Sequence, residues 1–84
     1  MEMLFAPRYH SGDQVYVIEY NGGGFKPSLP MIVNEVRIRI TSYGTYITYH
    51  LIDGGLSTDY HEKDCYATRE ECLKQCEFLK GDGV

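Results

Sequence analysis

Short segments rich in tyrosine, isoleucine, valine and threonine recur along this chain, and turns that contain glycine separate them. Such β-branched and aromatic residues favour strands, and the intervening glycines are typical of turns between antiparallel strands. A chain of 84 residues has room for one domain with four or five strands of this length. The sequence therefore predicts a single, mainly β domain over residues 1–84.

The strands are predicted from the alternation of apolar and polar side chains, and the turns from glycine and proline between them. Residues 21–30 carry three glycines and two prolines, which predicts a long irregular loop. Asp53-Gly54 predicts a tight hairpin turn, and residues 61–64 predict one helical turn. The strands are predicted at about residues 14–20, 31–41, 45–52, 56–60 and 65–67.

The same alternation predicts which side chains face the core. The inward positions expected from it on the second and third predicted strands are Ile32, Val36, Ile38, Ile40, Ile47, Tyr49 and Leu51. Both faces of the first strand are apolar, so alternation leaves open whether Val15 and Val17 or Tyr16, Ile18 and Tyr20 face the barrel.

The C-terminal quarter has the pattern of an amphipathic helix over about residues 69–80. Thr68 and Glu71 form a capping box at its start, and Gly81 is the predicted stop. Its apolar stripe consists of Cys72, Leu73, Cys76 and Leu79.

Strands in meander order, a long first loop, a helical turn before the last strand and one closing helix are typical of a small SH3-like barrel. An OB-like barrel is the alternative, although its five strands usually need more residues.

Two stretches resemble known small barrels. Residues 12–17 (Gly-Asp-Gln-Val-Tyr-Val) resemble the opening of KOW and Tudor-like barrels. Residues 62–72 resemble the close of small uncharacterised barrel proteins of Firmicutes and their phages, where a hydrophobic and an aromatic residue precede Thr-x-Glu-Glu-Ala and a short helix. Cys65 and Cys72 stand where those proteins have an aliphatic residue and alanine. The resemblance implies a phage or mobile-element protein acting on a host or defence factor, and it supplies no catalytic residue.

The net charge and the composition of the segments limit which partners and which cellular compartment we expect. Eight basic and twelve acidic side chains give a net charge of −4, which argues against a general nucleic-acid coat protein. The first seven residues lack the basic region and apolar length of a signal peptide, and no segment is long enough to cross a bilayer. We therefore expect a cytoplasmic protein with no membrane partner.

Three cysteines lie within the last quarter of the chain, and an odd number so clustered predicts free thiols. Together with His61 they form the one candidate metal set: His61, Cys65, Cys72 and Cys76. No Cys-x-x-Cys pair is present, and the helix must bury two of the thiols, so we favour core packing and expect no cofactor.

Exposed aromatic and cationic side chains carry the binding prediction. Eight tyrosines in a short chain provide surfaces on which SH3-like barrels hold peptides or single strands. Strand propensity alone also explains them. We expect Tyr20, Tyr43 and Tyr46 near the surface, close to Phe25 and the first loop. The candidate binding residues are Tyr20, Phe25, Lys26, Arg37, Arg39, Tyr43, Tyr46 and His50.

These observations leave three hypotheses. The leading one is a non-catalytic module that binds a protein through the glycine-rich loop and the tyrosines. The second is a nucleic-acid-binding barrel that uses Arg37, Arg39 and Tyr46, although cross-strand pairing of the arginines is the favoured role. The third is a zinc- or redox-responsive domain. An enzyme is not expected, and an open strand edge would permit a homodimer.

Overall fold

The computed structural model describes residues 6–82, and within the helix it describes side chains as far as Lys80. The apolar segment at residues 3–6, expected to be mature chain rather than a signal peptide, lies almost wholly outside that range. The protein is mainly β with one C-terminal helix, as predicted. Its elements are β1 (Gln14–Val15), β2 (Ile18–Asn21), β3 (Gly24–Pro27), β4 (Met31–Thr41), β5 (Gly44–Asp53), β6 (Leu56–His61), a 3₁₀ turn (Glu62–Asp64) and α1 (Arg69–Asp82).

Four antiparallel strands form a curled half-barrel in the order β1-β4-β5-β6. Tyr16, directly after β1, pairs with Tyr66, which follows the 3₁₀ turn, and the two exchange backbone hydrogen bonds of 2.8 Å. This bridge stands where the sequence predicts a short closing strand. It brings the two outer edges of the sheet together, which gives the small SH3-like architecture.

The glycine-rich stretch forms a hairpin, so the prediction of a long irregular loop there is wrong. β2 and β3 pair as a separate two-stranded sheet, and Asn21 and Gly24 close its turn. Gly22 and Gly23 have φ values of +64° and +86°, and tight hairpin turns favour this left-handed conformation. The buried Ser28 extends the hairpin, because its amide donates to the carbonyl of Val17 at 2.8 Å. The glycines therefore specify a turn.

The helix α1 packs against β3 and so covers the hairpin. The side chain of Thr68 accepts a 3.1 Å hydrogen bond from the amide of Glu71, which confirms the predicted cap. Cys72 and Cys76 are buried, as the apolar stripe predicts. The helix continues through Gly81 to Asp82, beyond its predicted stop.

The core lies on the inner face of the half-barrel. β4 contributes Met31 and Val33 to it and has a bulge directly after them. Met31 and Val33 are buried and Ile32 is exposed, so the prediction that Ile32 faces inward is wrong. Between Val33 and Glu35 the register shifts by one residue, because Asn34 has no partner on β5. The buried core residues are Tyr9, Val15, Val17, Met31, Val33, Tyr49, Leu51 and Cys65.

Candidate functional site

The β4–β5 hairpin extends beyond the strands that flank it. β1 pairs with β4 only at Met31 and Ile32, and β6 reaches along β5 only as far as Thr48. Residues 36–47, which we call the arm, therefore pair with no strand outside the β4–β5 hairpin. Val36 and Ile47 at its base still pack against the core, and toward the tip both faces of this two-stranded projection are exposed to solvent.

One face of the arm is apolar and continues the core face of the half-barrel. Val36 stands opposite the buried Tyr49, and farther out Ile38 stands opposite Ile47. The side chains of Ile38 and Ile40 are 43% and 63% exposed, although alternation predicts both in the core. Alternation correctly places Ile38 and Ile40 on the same face as the core residues. The prediction of burial is wrong because the arm extends past the layer that covers the core.

The opposite face of the arm is aromatic and cationic. Arg39 stands directly opposite Tyr46, and Tyr43 lies at the tip with 91% of its surface exposed. Thr41 fixes that tip, because its hydroxyl accepts a 3.1 Å hydrogen bond from the amide of Tyr43 and donates to the carbonyl of Gly44. Arg39 makes no ion pair within residues 6–82.

Nearer the barrel, the same face carries an ion-pair network across three strands. Arg37 contacts Glu35 at 3.1 Å and Asp59 at 2.9 Å, and Nδ1 of His50 lies 2.7 Å from Asp59. The hydrogen bond with His50, and then the charge of Arg37, lower the pKa of Asp59 below its ordinary value. The hydrogen bond to Glu35 is the first cause of the raised pKa of Arg37. Two of the candidate binding residues are thus held by carboxylates.

The other three candidates lie on the second sheet. The rings of Tyr20 and Phe25 pack with their centroids 5.1 Å apart, and Lys26 follows on β3. This pair lines a shallow depression together with the glycine turn and with Leu79 and Lys80 of the helix. The sequence led us to expect Tyr20 and Phe25 close to Tyr43 and Tyr46. The structure instead places the two groups on different sheets.

The predicted metal set is divided between two regions. Cys65 belongs to the barrel core, where its thiol lies 3.5 Å from the carbonyl of His61, and Cys72 and Cys76 are buried beneath the helix. Burial raises the pKa of Cys65 to about 11 and that of Cys72 to about 12. Among the described residues, no group of three or more His, Cys, Asp or Glu side chains is arranged to hold a metal ion.

A groove runs along the free edge of β5, beside the end of β6. Thr45, Tyr46 and Ile47 form one wall, and the other consists of residues 61–63 (His-Glu-Lys). The groove encloses about 400 Å³ and is open to solvent. It adds His61 and Lys63 to the surroundings of Tyr46. Sequence reasoning missed this link, because it depends on where β6 leaves the sheet.

Comparison of the chain with protein-family models, with curated proteins and with solved structures finds no significant match. In the part of the chain that the structure describes, no helix is both long and apolar enough to cross a membrane.

Proposed function

We propose that this protein is a non-catalytic binding module that holds a protein partner on the arm. The observation that carries the proposal is the exposure of Ile38 and Ile40 on a projection whose apolar face continues the core. Exposed apolar surface that adjoins polar residues is characteristic of protein-binding sites. On this basis the arm, rather than the glycine-rich hairpin, is the principal contact surface.

The opposite face of the arm supports the same proposal. Tyr43, Tyr46 and Arg39 belong to two of the three residue types, tyrosine, arginine and tryptophan, that most often dominate the binding energy of protein interfaces. A tyrosine ring buries a large area on binding and loses little conformational entropy, while its hydroxyl finds a polar partner. A partner that grips the arm could therefore use both faces.

Nucleic-acid binding is the less favoured alternative on this surface. Arg37 is already paired with two carboxylates, and the whole chain carries a net charge of −4. Non-specific affinity for nucleic acid depends on several uncompensated cations that displace counterions from phosphates. Only Arg39 on the arm meets that requirement within the described residues.

The buried thiols support a non-catalytic role. A nucleophilic cysteine needs a thiolate at working pH, and burial raises the pKa values of Cys65 and Cys72 to about 11 and about 12. The resemblance to phage and Firmicutes barrels adds the proposal that the partner is a host or defence factor.

Site-specific photo-crosslinking in the source cells tests the proposal. A photoreactive phenylalanine analogue replaces Tyr43 at the tip of the arm, and a matched control carries it at Leu56, which is 75% exposed at the start of β6. We expect discrete protein adducts from position 43 and none of the same mass from position 56. Identical adducts from both positions, or none from position 43, would contradict the proposal.

A further inference from the structure

We propose that the partner binds the arm as an added β-strand on the free edge of β4, and that this strand alternates apolar and acidic residues. The inference rests on the proposed function and specifies its mode of binding. Three observations carry it: the unpaired edge, the direction in which its backbone groups point, and the charge beside it.

The edge of β4 loses its neighbour at the bulge. Val33 is the last residue paired there, because its amide donates to the carbonyl of Asp13 and its carbonyl accepts from the amide of Gly12, at 2.8 and 2.7 Å. From Glu35 to Thr41, nothing within residues 6–82 pairs with this side of β4. Seven residues of β4 therefore form an open edge, which is long enough to receive a strand.

The direction of the backbone groups follows from the register. Val33 points its amide and carbonyl toward the open side, and successive residues of an antiparallel strand alternate in this respect. The unpaired Asn34 adds one residue, so Val36, Ile38 and Ile40 point to the same side as Val33. These three residues supply three donors and three acceptors in the spacing that an extended chain requires. Backbone groups of this kind give strand addition its affinity.

The side chains beside the edge specify the added strand. Residues opposite Val36, Ile38 and Ile40 would lie on the apolar face, and those opposite Arg37 and Arg39 on the cationic face. The arm carries two arginines and no acidic residue, and Arg39 has no ion-pair partner in the described chain. Acidic residues at alternate positions of the partner would complement that charge.

A second copy of this chain fits the edge less well. A two-fold axis at Ile38 pairs the whole edge from Glu35 to Thr41, but it places Arg37 opposite Arg39 in both halves. Like charges that stand directly opposite each other destabilise an antiparallel pair. The free edge of β5 is also a poorer receptor, because it offers only residues 44–47 and has Glu62 beside it.

Peptide binding to the intact protein tests the inference. The probe is a nine-residue peptide in which valine and glutamate alternate, and its control replaces each glutamate with lysine. Nuclear magnetic resonance follows the amides of Val36, Ile38 and Ile40 and their exchange with solvent. We expect the glutamate peptide to protect these three amides. The lysine peptide should bind about fivefold more weakly, since the cross-strand pair with the uncompensated Arg39 changes sign, whereas Arg37 is already paired with Glu35 and Asp59.

Variants at Ile38 and Arg39 separate the contribution of backbone hydrogen bonds to peptide binding from the contribution of charge. Ile38→Pro removes one outward donor without removing a hydrogen bond to β5, and Ile38→Thr is its matched control. We expect proline to abolish the protection and threonine to retain most of it. If Ile38→Pro does not fold, Arg39→Glu tests the inference instead. This variant should bind the lysine peptide more tightly than the glutamate peptide, and an unchanged preference would contradict the inference.

The outcomes separate this inference from the proposed function. If Tyr43 cross-links to a partner but neither peptide protects the edge amides, strand addition is wrong and the binding module remains. If the edge amides become protected as the concentration of the protein alone rises, the occupant is a second copy and the inference is overturned. If cross-linking and peptide binding both fail, the proposed function fails with it.

Discussion

The phenol of Tyr49 donates a 2.5 Å hydrogen bond to the carboxylate of Glu62, in the 3₁₀ turn that follows β6. The same phenol oxygen accepts hydrogen bonds from the amides of Arg8 and Tyr9, at 3.0 and 3.2 Å. Glu62 also accepts from the amide of Arg8 at 2.8 Å. Tyr49 is fully buried, so this hydroxyl joins the N-terminal segment to the end of the sheet from inside the core.

Replacement of Tyr49 with phenylalanine should destabilise the protein by about 1–3 kcal/mol, because the amide of Tyr9 then lies buried without a partner. The ring and its edge-to-face contact with Tyr9 would remain in place. Urea denaturation of the wild type, Tyr49→Phe and Tyr43→Phe measures the effect. Tyr43 is exposed at the tip of the arm, so its variant should be nearly neutral. Equal losses in the two variants would contradict this role for the hydroxyl.

The same phenol predicts a loss of stability in alkali. Burial, and then the hydrogen bond to Glu62, raise the pKa of Tyr49 from 10.0 to about 12. Between those values the unfolded chain has released the proton and the folded chain retains it. The stability that Tyr49 contributes is therefore complete below pH 10 and is lost as the pH rises toward 12.

The buried thiols also make the folded state less stable as the pH rises above 9. Burial raises the pKa of Cys65 from 9.0 to about 11 and that of Cys72 to about 12, so the unfolded chain loses these protons first. Free energies of unfolding measured between pH 8 and 11.5 should therefore fall steadily. The Tyr49→Phe variant should lose less than the wild type above pH 10. A stability that does not change over this range would rule out the mechanism.

The sequence patterns predict the fold class and most inward positions, but they fail where one residue changes the phase of a strand. Alternation assigns Tyr49 and Leu51 to the core correctly, because β5 runs without interruption. It fails at Ile32, because an unpaired Asn34 reverses the faces on one side of the bulge. A bulge depends on the pairing partner, so the strand's own sequence does not reveal it.

The candidate site was predictable as a set of residues and not as an arrangement. Tyr43, Tyr46 and Arg39 come together because one hairpin carries all three. Tyr20 and Phe25 lie elsewhere, because the glycines between them form a tight turn and a second sheet instead of a long loop. The exposure of Ile38 and Ile40 depends on where β1 and β6 end, which is a tertiary property that local periodicity cannot express.

The three cysteines should react slowly with thiol reagents in the native state, because all three are buried. Reaction then requires a local or global opening of the structure, and we expect rates at least about a hundredfold slower than in denaturant. Labelling with a chromogenic disulfide, with and without guanidinium chloride, gives both rates. Tyr43→Cys is the matched control, since a thiol at the exposed tip should react at once. Rapid labelling of the wild type would contradict the burial of the thiols.

Removal of the carboxylate of Asp59 should weaken the ion-pair network with Arg37 and His50, and the loss of stability should depend on pH. The hydrogen bond with His50 and the charge of Arg37 lower the pKa of Asp59 below 3.8. A lowered pKa in the folded state stabilises the protein above the ordinary value, and this contribution is lost as the pH falls through the folded pKa. Asp59→Asn should therefore be less stable than the wild type at neutral pH and equal to it in acid.

Glu77→Gln is the control for the Asp59 experiment, because it makes the same change in net charge on the exposed surface of the helix. The contribution of Asp59 should also shrink in high salt, since the groups in the network are partly exposed and ions screen them. Thermal melts at several pH values and salt concentrations measure both effects. If the stability gap between Asp59→Asn and Glu77→Gln is the same at every pH, the loss arises from packing, and the ion pairs with Arg37 and His50 contribute nothing to it.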